Sequence, residues 1–209
     1  MASSFNNNRD LNLTVLVSGR GTNLQAILDA TAQGRIKSRV THVISNKEGA
    51  IALERAHKVG VKTIIVPSKG RPAHIFFKEL IQTLQNISPD LIVLAGFMKI
   101  LPSEMVSAFE GRMINIHPSL LPAFPGLDAQ KQALETGVKV TGCTVHYVNQ
   151  GCDTGPILIQ KTTEVKNDDT LETLSERLLL QEHEALIEAI TLIEQHKVIL
   201  QGRKTLLRK

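Results

Sequence analysis

Residues 13–32 read LTVLVSGRGTNLQAILDATA, and this stretch decides the fold. Residues 13–18 are a short, β-branched apolar run, the length of a buried strand rather than of a helix. Gly19 and Gly21 then turn the chain, and over 22–32 the apolar side chains Leu24, Ile27 and Leu28 recur at helical spacing. The reading is strand, loop, helix. The alternation continues with a strand at 40–45, a helix at 51–59, a strand at 62–66, a helix at 75–84 and a strand at 91–95. Apolar strands separated by amphipathic helices predict βαβ units, hence an α/β fold with a doubly wound, mostly parallel, Rossmann-like sheet.

Beyond Leu101 the pattern changes. A short helix at 103–109 and a strand at 113–117 lead into a segment holding Pro118, Pro122, Pro125 and Gly126, which suits neither helix nor central strand. Pro122 is a candidate for a cis peptide. Residues 141–148 and 157–163 flank Gly151 and Gly155 and are expected to pair as an antiparallel extension near the C-terminal part. A long closing helix is expected to start at Asp168-Asp169, with Asp169 and Glu172 as its start signature and Leu171, Leu174, Leu178, Leu186, Ile190 and Ile193 as its apolar stripe. No repeat or linker divides the chain, so the expectation is one domain over 1–209, with a flexible leader at 1–12 and a basic tail at 197–209.

Composition narrows the function. With 209 residues, 42% hydrophobic and 21% charged, disordered and disulfide-scaffold classes are excluded. The longest apolar run covers 91–98, far short of the roughly 18 residues of a membrane span, and the polar N-terminus lacks a signal-peptide core. A cytoplasmic protein is expected. The net charge is +4, but the tail alone holds Lys197, Arg203, Lys204, Arg208 and Lys209, which leaves 19 basic against 20 acidic residues in the body. With aromatic residues at 3%, a nucleic-acid partner is not expected. Cys143 and Cys152 form no zinc or CxxC spacing, so no metal is expected and both read as reduced thiols.

Three segments carry chemistry. Ser18-Gly19-Arg20-Gly21-Thr22-Asn23 ends the first strand and opens the first helix, where free N–H groups favour an anion such as phosphate. It is neither a dinucleotide fingerprint nor a Walker A loop, and tight-turn glycines are its bland alternative. In Asn115-Ile116-His117-Pro118-Ser119 the alternation of a strand sends Asn115 and His117 to one side. A structural histidine is the competing reading there. Asp153, in Gly151-Cys152-Asp153-Thr154-Gly155-Pro156, is either a turn residue or a carboxylate that approaches His117, favours the imidazolium and orients its ring. Residues 94–101 form another strand-end loop, suited equally to core packing or to a flat aromatic ligand.

Together these segments resemble the phosphoribosylglycinamide formyltransferases, the 10-formyltetrahydrofolate-dependent enzymes of de novo purine synthesis. The resemblance runs from Leu13 to His183. It is carried by SGRGTNLQAI (18–27), VISN (43–46), PDLIVLAGFMKIL (89–101), GRMINIHPSLLPAFPGL (111–127), VTGCTVHYV (140–148) and DTGPI (153–157). Asp128 and Lys99 depart from the family pattern, standing where His and Arg are frequent.

The resemblance implies a formyltransferase-type fold with Asn115, His117 and Asp153 as the catalytic trio. It implies that Gly21, Thr22 and Asn23 hold the substrate phosphate and that Glu182 binds the glycinamide end. Met98, Lys99, Ile100, Leu101 and Asn115 would contact the folate, with Arg71 a further folate candidate. The implied reaction moves the formyl group of 10-formyltetrahydrofolate to the amine of phosphoribosylglycinamide, without a metal. Its partners are small molecules, with no nucleic acid and no membrane, in a monomer or homodimer. The alternative is a formyltetrahydrofolate hydrolase that uses the same trio on water. Such relatives generally carry an extra N-terminal regulatory domain, and about 12 residues precede the first strand here.

Overall fold

The structure is a computed structural model that describes residues 10–208. Strands β1 (Asn12–Val17), β2 (Arg39–Ser45), β3 (Lys62–Ile65) and β4 (Leu91–Leu94) alternate with helices α1 (Thr22–Ala32), α2 (Ile51–Lys58) and α3 (Ala73–Ile87). Helix α4 (Ser103–Ala108), strand β5 (Met113–His117), helix α5 (Ala129–Thr136), the antiparallel pair β6 (Val140–Tyr147) and β7 (Ile157–Glu164) and helix α6 (Leu171–Glu194) follow. The sheet order is β3-β2-β1-β4-β5-β6-β7, the doubly wound, mostly parallel arrangement that the apolar runs predict. β1 sits between β2 and β4 in parallel register, Val15 opposite both Val43 and Val93. Such a central strand is covered on both faces, which is why it reads as a continuous apolar run.

The chain divides into two compact units, which in the described residues are 10–114 and 115–208. The first has its own core of Leu13, Leu16, Leu24, Ile27, Phe76 and Leu80, all fully buried. The second is built on Val145 of β6 and the α6 stripe, where Leu174, Leu178, Leu186 and Ile190 are fully buried. Among the described residues no helix is long and apolar enough to cross a membrane.

Four details correct the expectations. The leader ends earlier than residue 12, because Leu11 is buried and the Asn12 N–H donates to Asp90 Oδ2 at 2.8 Å, so that Asn12 already opens β1; residues 1–9 lie outside the described residues. Helix α6 is capped by Thr170, not Asp169. Its hydroxyl accepts from the Thr173 N–H while the Thr173 hydroxyl accepts from the Thr170 N–H, and Asp169 is drawn off by its ion pair with Arg177. Helix α5 falls where no element was expected, its Ala129 and Ala133 buried one turn apart. The basic tail is a hairpin of β8 (Val198–Gln201) and β9 (Lys204–Leu207), turned at Gly202 with φ 59°. It is fastened by the Thr205 hydroxyl, which donates to the Ile157 carbonyl at 2.6 Å.

Candidate active site

The second unit gathers one buried polar cluster. Strand β5 delivers Asn115 and His117, and β6 delivers His146, whose ring is 2% exposed. Asp153 arrives from the turn between β6 and β7, which is held by its own hydrogen bonds. The Asn149 side-chain oxygen accepts from the Gly151 N–H at 3.1 Å and from the Thr154 hydroxyl at 2.9 Å. A Cβ at position 155 would lie 1.7 Å from the Tyr147 carbonyl oxygen, so only glycine closes this turn. Asp153 itself takes a left-handed backbone, φ 53°, a conformation that aspartate tolerates better than most residues.

The Asp153 carboxylate is the hub. Its Oδ2 accepts from the Gly126 N–H at 2.8 Å and faces His117 Nδ1 at 3.4 Å. Its Oδ1 accepts from Asn115 Nδ2 at 3.4 Å and faces His146 Nε2 at 3.6 Å. Burial opposes ionisation, but the His146 side chain, the Gly126 N–H and the charges of the two histidines outweigh it and hold the carboxyl well below the usual range. On the far side of the His117 ring, Nε2 lies 2.8 Å from the Phe124 carbonyl oxygen. A carbonyl only accepts, so Nε2 donates there. Both ring nitrogens therefore face oxygen acceptors, an arrangement that an imidazolium satisfies with both of its N–H groups.

The proline-rich loop is pinned behind the cluster. Thr144 Oγ1 donates to the Ser119 carbonyl at 2.7 Å and accepts from the Leu121 N–H at 3.0 Å, and Gln160 Nε2 donates to the Leu121 carbonyl at 2.9 Å. The Leu121–Pro122 peptide is cis, as the sequence reading allowed. A cleft of about 400 Å³ borders Asp153, floored by Leu121, Pro122, Pro125 and Ile157 and walled by Arg203, Lys204 and Thr205 of the C-terminal hairpin. Cys152 beside it is exposed, and burial together with the Asp153 charge pushes its thiol up, so it remains protonated at neutral pH.

The other sequence candidates have their own settings. In the first unit, helix α1 opens at Gly21 with no side-chain cap and no acidic residue in its first turn, an end of the helix dipole where negative charge is favourable. Gly21 also answers to packing, since its φ is 71° and an added Cβ would lie 2.6 Å from the Ala52 Cβ. Thr22 is half-buried and Asn23 buried. Met98 and Ile100 are 63% and 82% exposed, and Lys99 is exposed with its N–H bonded to the Phe97 carbonyl at 2.9 Å, while Leu101 is half-buried. The Arg71 guanidinium is engaged by Glu79 and by the Pro67 carbonyl. In the second unit Glu182 is buried on α6, close enough to Cys143 that burial and then its charge push that thiol up to about 12. Asp128 caps α5 in a left-handed conformation, φ 57°, without a side-chain bond.

Sequence reasoning missed His146, Gly126 and Phe124 as parts of the cluster. It also missed the buried Ser18 hydroxyl, which donates to Asn46 Oδ1 at 2.6 Å and accepts from the Met98 N–H at 2.9 Å, tying the glycine loop to the 96–101 turn. For His146 a signal existed. It stands two residues from Thr144 on an alternating strand, hence on the same face.

Comparison with known proteins agrees with this architecture. A family model described as formyl transferase matches residues 11–190. A trifunctional purine biosynthetic protein adenosine-3 from Drosophila pseudoobscura pseudoobscura is 46% identical over 185 residues, which is 87% of this chain and 14% of that protein. The chain thus spans about a seventh of that relative's length. Phosphoribosylglycinamide formyltransferase from Escherichia coli is 43% identical over 174 residues, covering 83% of this chain and 82% of that one. The crystal structure of glycinamide ribonucleotide transformylase 1 from Symbiobacterium toebii superposes with a TM-score of 0.92 at 46% identity, over 96% of this chain and 95% of that one.

Proposed function

From the premise that the chain belongs to the formyl transferase family, in its phosphoribosylglycinamide formyltransferase branch, we propose that it transfers the formyl group of 10-formyltetrahydrofolate to the amine of 5'-phosphoribosylglycinamide. The observation that carries this reading is the His117 ring held with an acceptor at each nitrogen, beside an ionised Asp153 and the Asn115 amide.

The amine nitrogen attacks the formyl carbon, and the carbonyl electrons move to oxygen. The tetrahedral intermediate then collapses, the bond to folate N10 breaks, and the proton lost by the amine passes to that nitrogen. His117 Nε2–H turns from the Phe124 carbonyl to the formyl oxygen, because the developing negative charge makes that oxygen the stronger acceptor. Asn115 supplies a second donor. The Asp153 carboxyl, held so low, is a weak base. It acts first by stabilising the His117 cation, and it relays the amine proton through water.

The uncapped start of α1, with Gly21, Thr22 and Asn23, receives the phosphate, and Glu182 receives the glycinamide end. The exposed apolar side chains Met98 and Ile100, with Lys99 and Leu101, cover the folate. Arg71 joins them only by releasing Glu79. Anchoring both substrates makes the attack effectively intramolecular.

The test is tetrahydrofolate release from 10-formyltetrahydrofolate with and without phosphoribosylglycinamide. Release that requires the amine is expected. Equal release in its absence would make the protein a hydrolase and overturn the proposal.

A further inference from the structure

We infer that His146 is a positioning residue, one that touches no substrate and sets the orientation of Asn115 and Asp153. Its ring is buried in β6, and Nδ1 lies 2.9 Å from the Tyr147 carbonyl oxygen. That oxygen accepts only, so Nδ1 carries hydrogen and the ring is fixed in one orientation. Nε2 is then the working atom. It lies 3.3 Å from Asn115 Nδ2 and 3.6 Å from Asp153 Oδ1, and those two atoms are 3.4 Å from each other.

The three atoms form a nearly equilateral triangle, and its geometry has a consequence. The corner at Asn115 Nδ2 is narrower than the spread of the two hydrogens on a planar amide nitrogen. Asn115 Nδ2 thus has both neighbours, His146 Nε2 and Asp153 Oδ1, on one side. The amide cannot flip without setting its oxygen against the Asp153 carboxylate. The amide plane is thereby fixed, and in the reaction proposed above Asn115 Nδ2 is the donor offered to the formyl oxygen. His146 is the strand-borne back wall of a cluster whose Asp153 otherwise comes from a turn.

This inference rests on the proposed reaction for its kinetic readout, so its test also has a readout that needs no turnover. His146→Gln places an amide near the position of Nε2, and His146→Met fills the space without a polar atom there. In His146→Met, kcat is expected to fall about tenfold to a hundredfold with both KM values nearly unchanged. The acid limb of the kcat profile should move to higher pH, because Asp153 loses a partner that favours its ionised form. His146→Gln should recover most of the rate. Independently, the Asn115 side-chain N–H resonances are expected to move in His146→Met toward the positions of an unbonded primary amide and to stay near their wild-type positions in His146→Gln. The inference is overturned if those resonances are the same in wild type and His146→Met. It is overturned equally if kcat and the acid limb do not move, or if Gln is no better than Met and both losses follow the melting temperature. Should the wild type not release tetrahydrofolate in the presence of the amine, the proposed reaction fails, and the resonances alone decide the role of His146.

Discussion

Two glycine-framed turns leave the strands of this protein, and they are built on opposite plans. The turn at 18–23 offers backbone: an uncapped helix start whose glycine is required by a positive φ and by the approach of Ala52. The turn at 149–155 offers a side chain: Asp153, with Gly126, His117, Asn115 and His146 around it. Backbone donors tolerate side-chain replacement and bind an anion of fixed charge. A carboxylate hub in contact with two rings and an amide tolerates almost none, and it suits a charge that appears only during a reaction. The first turn is suited to binding and the second to chemistry.

The comparison breaks most easily at His117. His117→Ala should lower kcat about 10²–10³-fold, equivalent to about 2.7–4 kcal/mol of barrier, with the melting temperature close to wild type. Steady-state kinetics alongside calorimetry check this, and a rate within a few-fold of wild type would erase the distinction. Gly21→Ala sharpens it from the other side. The new Cβ meets Ala52 in a backbone that L residues rarely adopt, at a cost of about 1–3 kcal/mol of stability. Urea titration should read that loss, with a higher KM for the phosphate-bearing substrate and little change in kcat.

The pH dependence of stability carries a smaller effect with a definite sign. Asp153 ionises more readily in the folded than in the unfolded chain. Its contribution is thus complete above the unfolded carboxyl value of about 3.9 and is lost as pH falls through the lower folded value. The melting-temperature gap between wild type and Asp153→Asn should be constant near neutrality and close below about pH 4. A gap that grows on acidification would contradict the assignment. Smallest of all is Thr205→Val, which removes the bond to the Ile157 carbonyl. About 1 kcal/mol should be lost in denaturant titration, with kcat unchanged.

Legibility in the sequence followed the range of the interactions. The β1 to β4 alternation was readable because each element announces itself locally, in runs such as Leu13 to Val17 and in the Leu24, Ile27, Leu28 spacing. Asn115 and His117 were readable because strand alternation alone puts them on one side. Asp153 was readable only as an alternative, turn residue or partner of His117, since their separation of 36 residues leaves the contact to the fold. His146 escaped because its partner Asn115 is 31 residues away, and sharing a strand face with Thr144 marks its side without naming that partner. The hairpin at 198–207 was hidden by its charges, although apolar residues on both sides of Gln201-Gly202-Arg203 carried the signal. Thr170 displaced Asp169 as a cap because Arg177 competes for that carboxylate eight residues on, beyond the reach of a capping rule.

The central claim, that the Asp153 cluster serves the reaction and the glycine loop serves binding, is tested most directly by the steady-state constants of Asp153→Asn for both substrates. The account predicts a fall in kcat of at least about 10²-fold with both KM values within a few-fold of wild type. A preserved kcat with a raised KM would mean that Asp153 holds substrate rather than serving the chemistry, and the account would be contradicted.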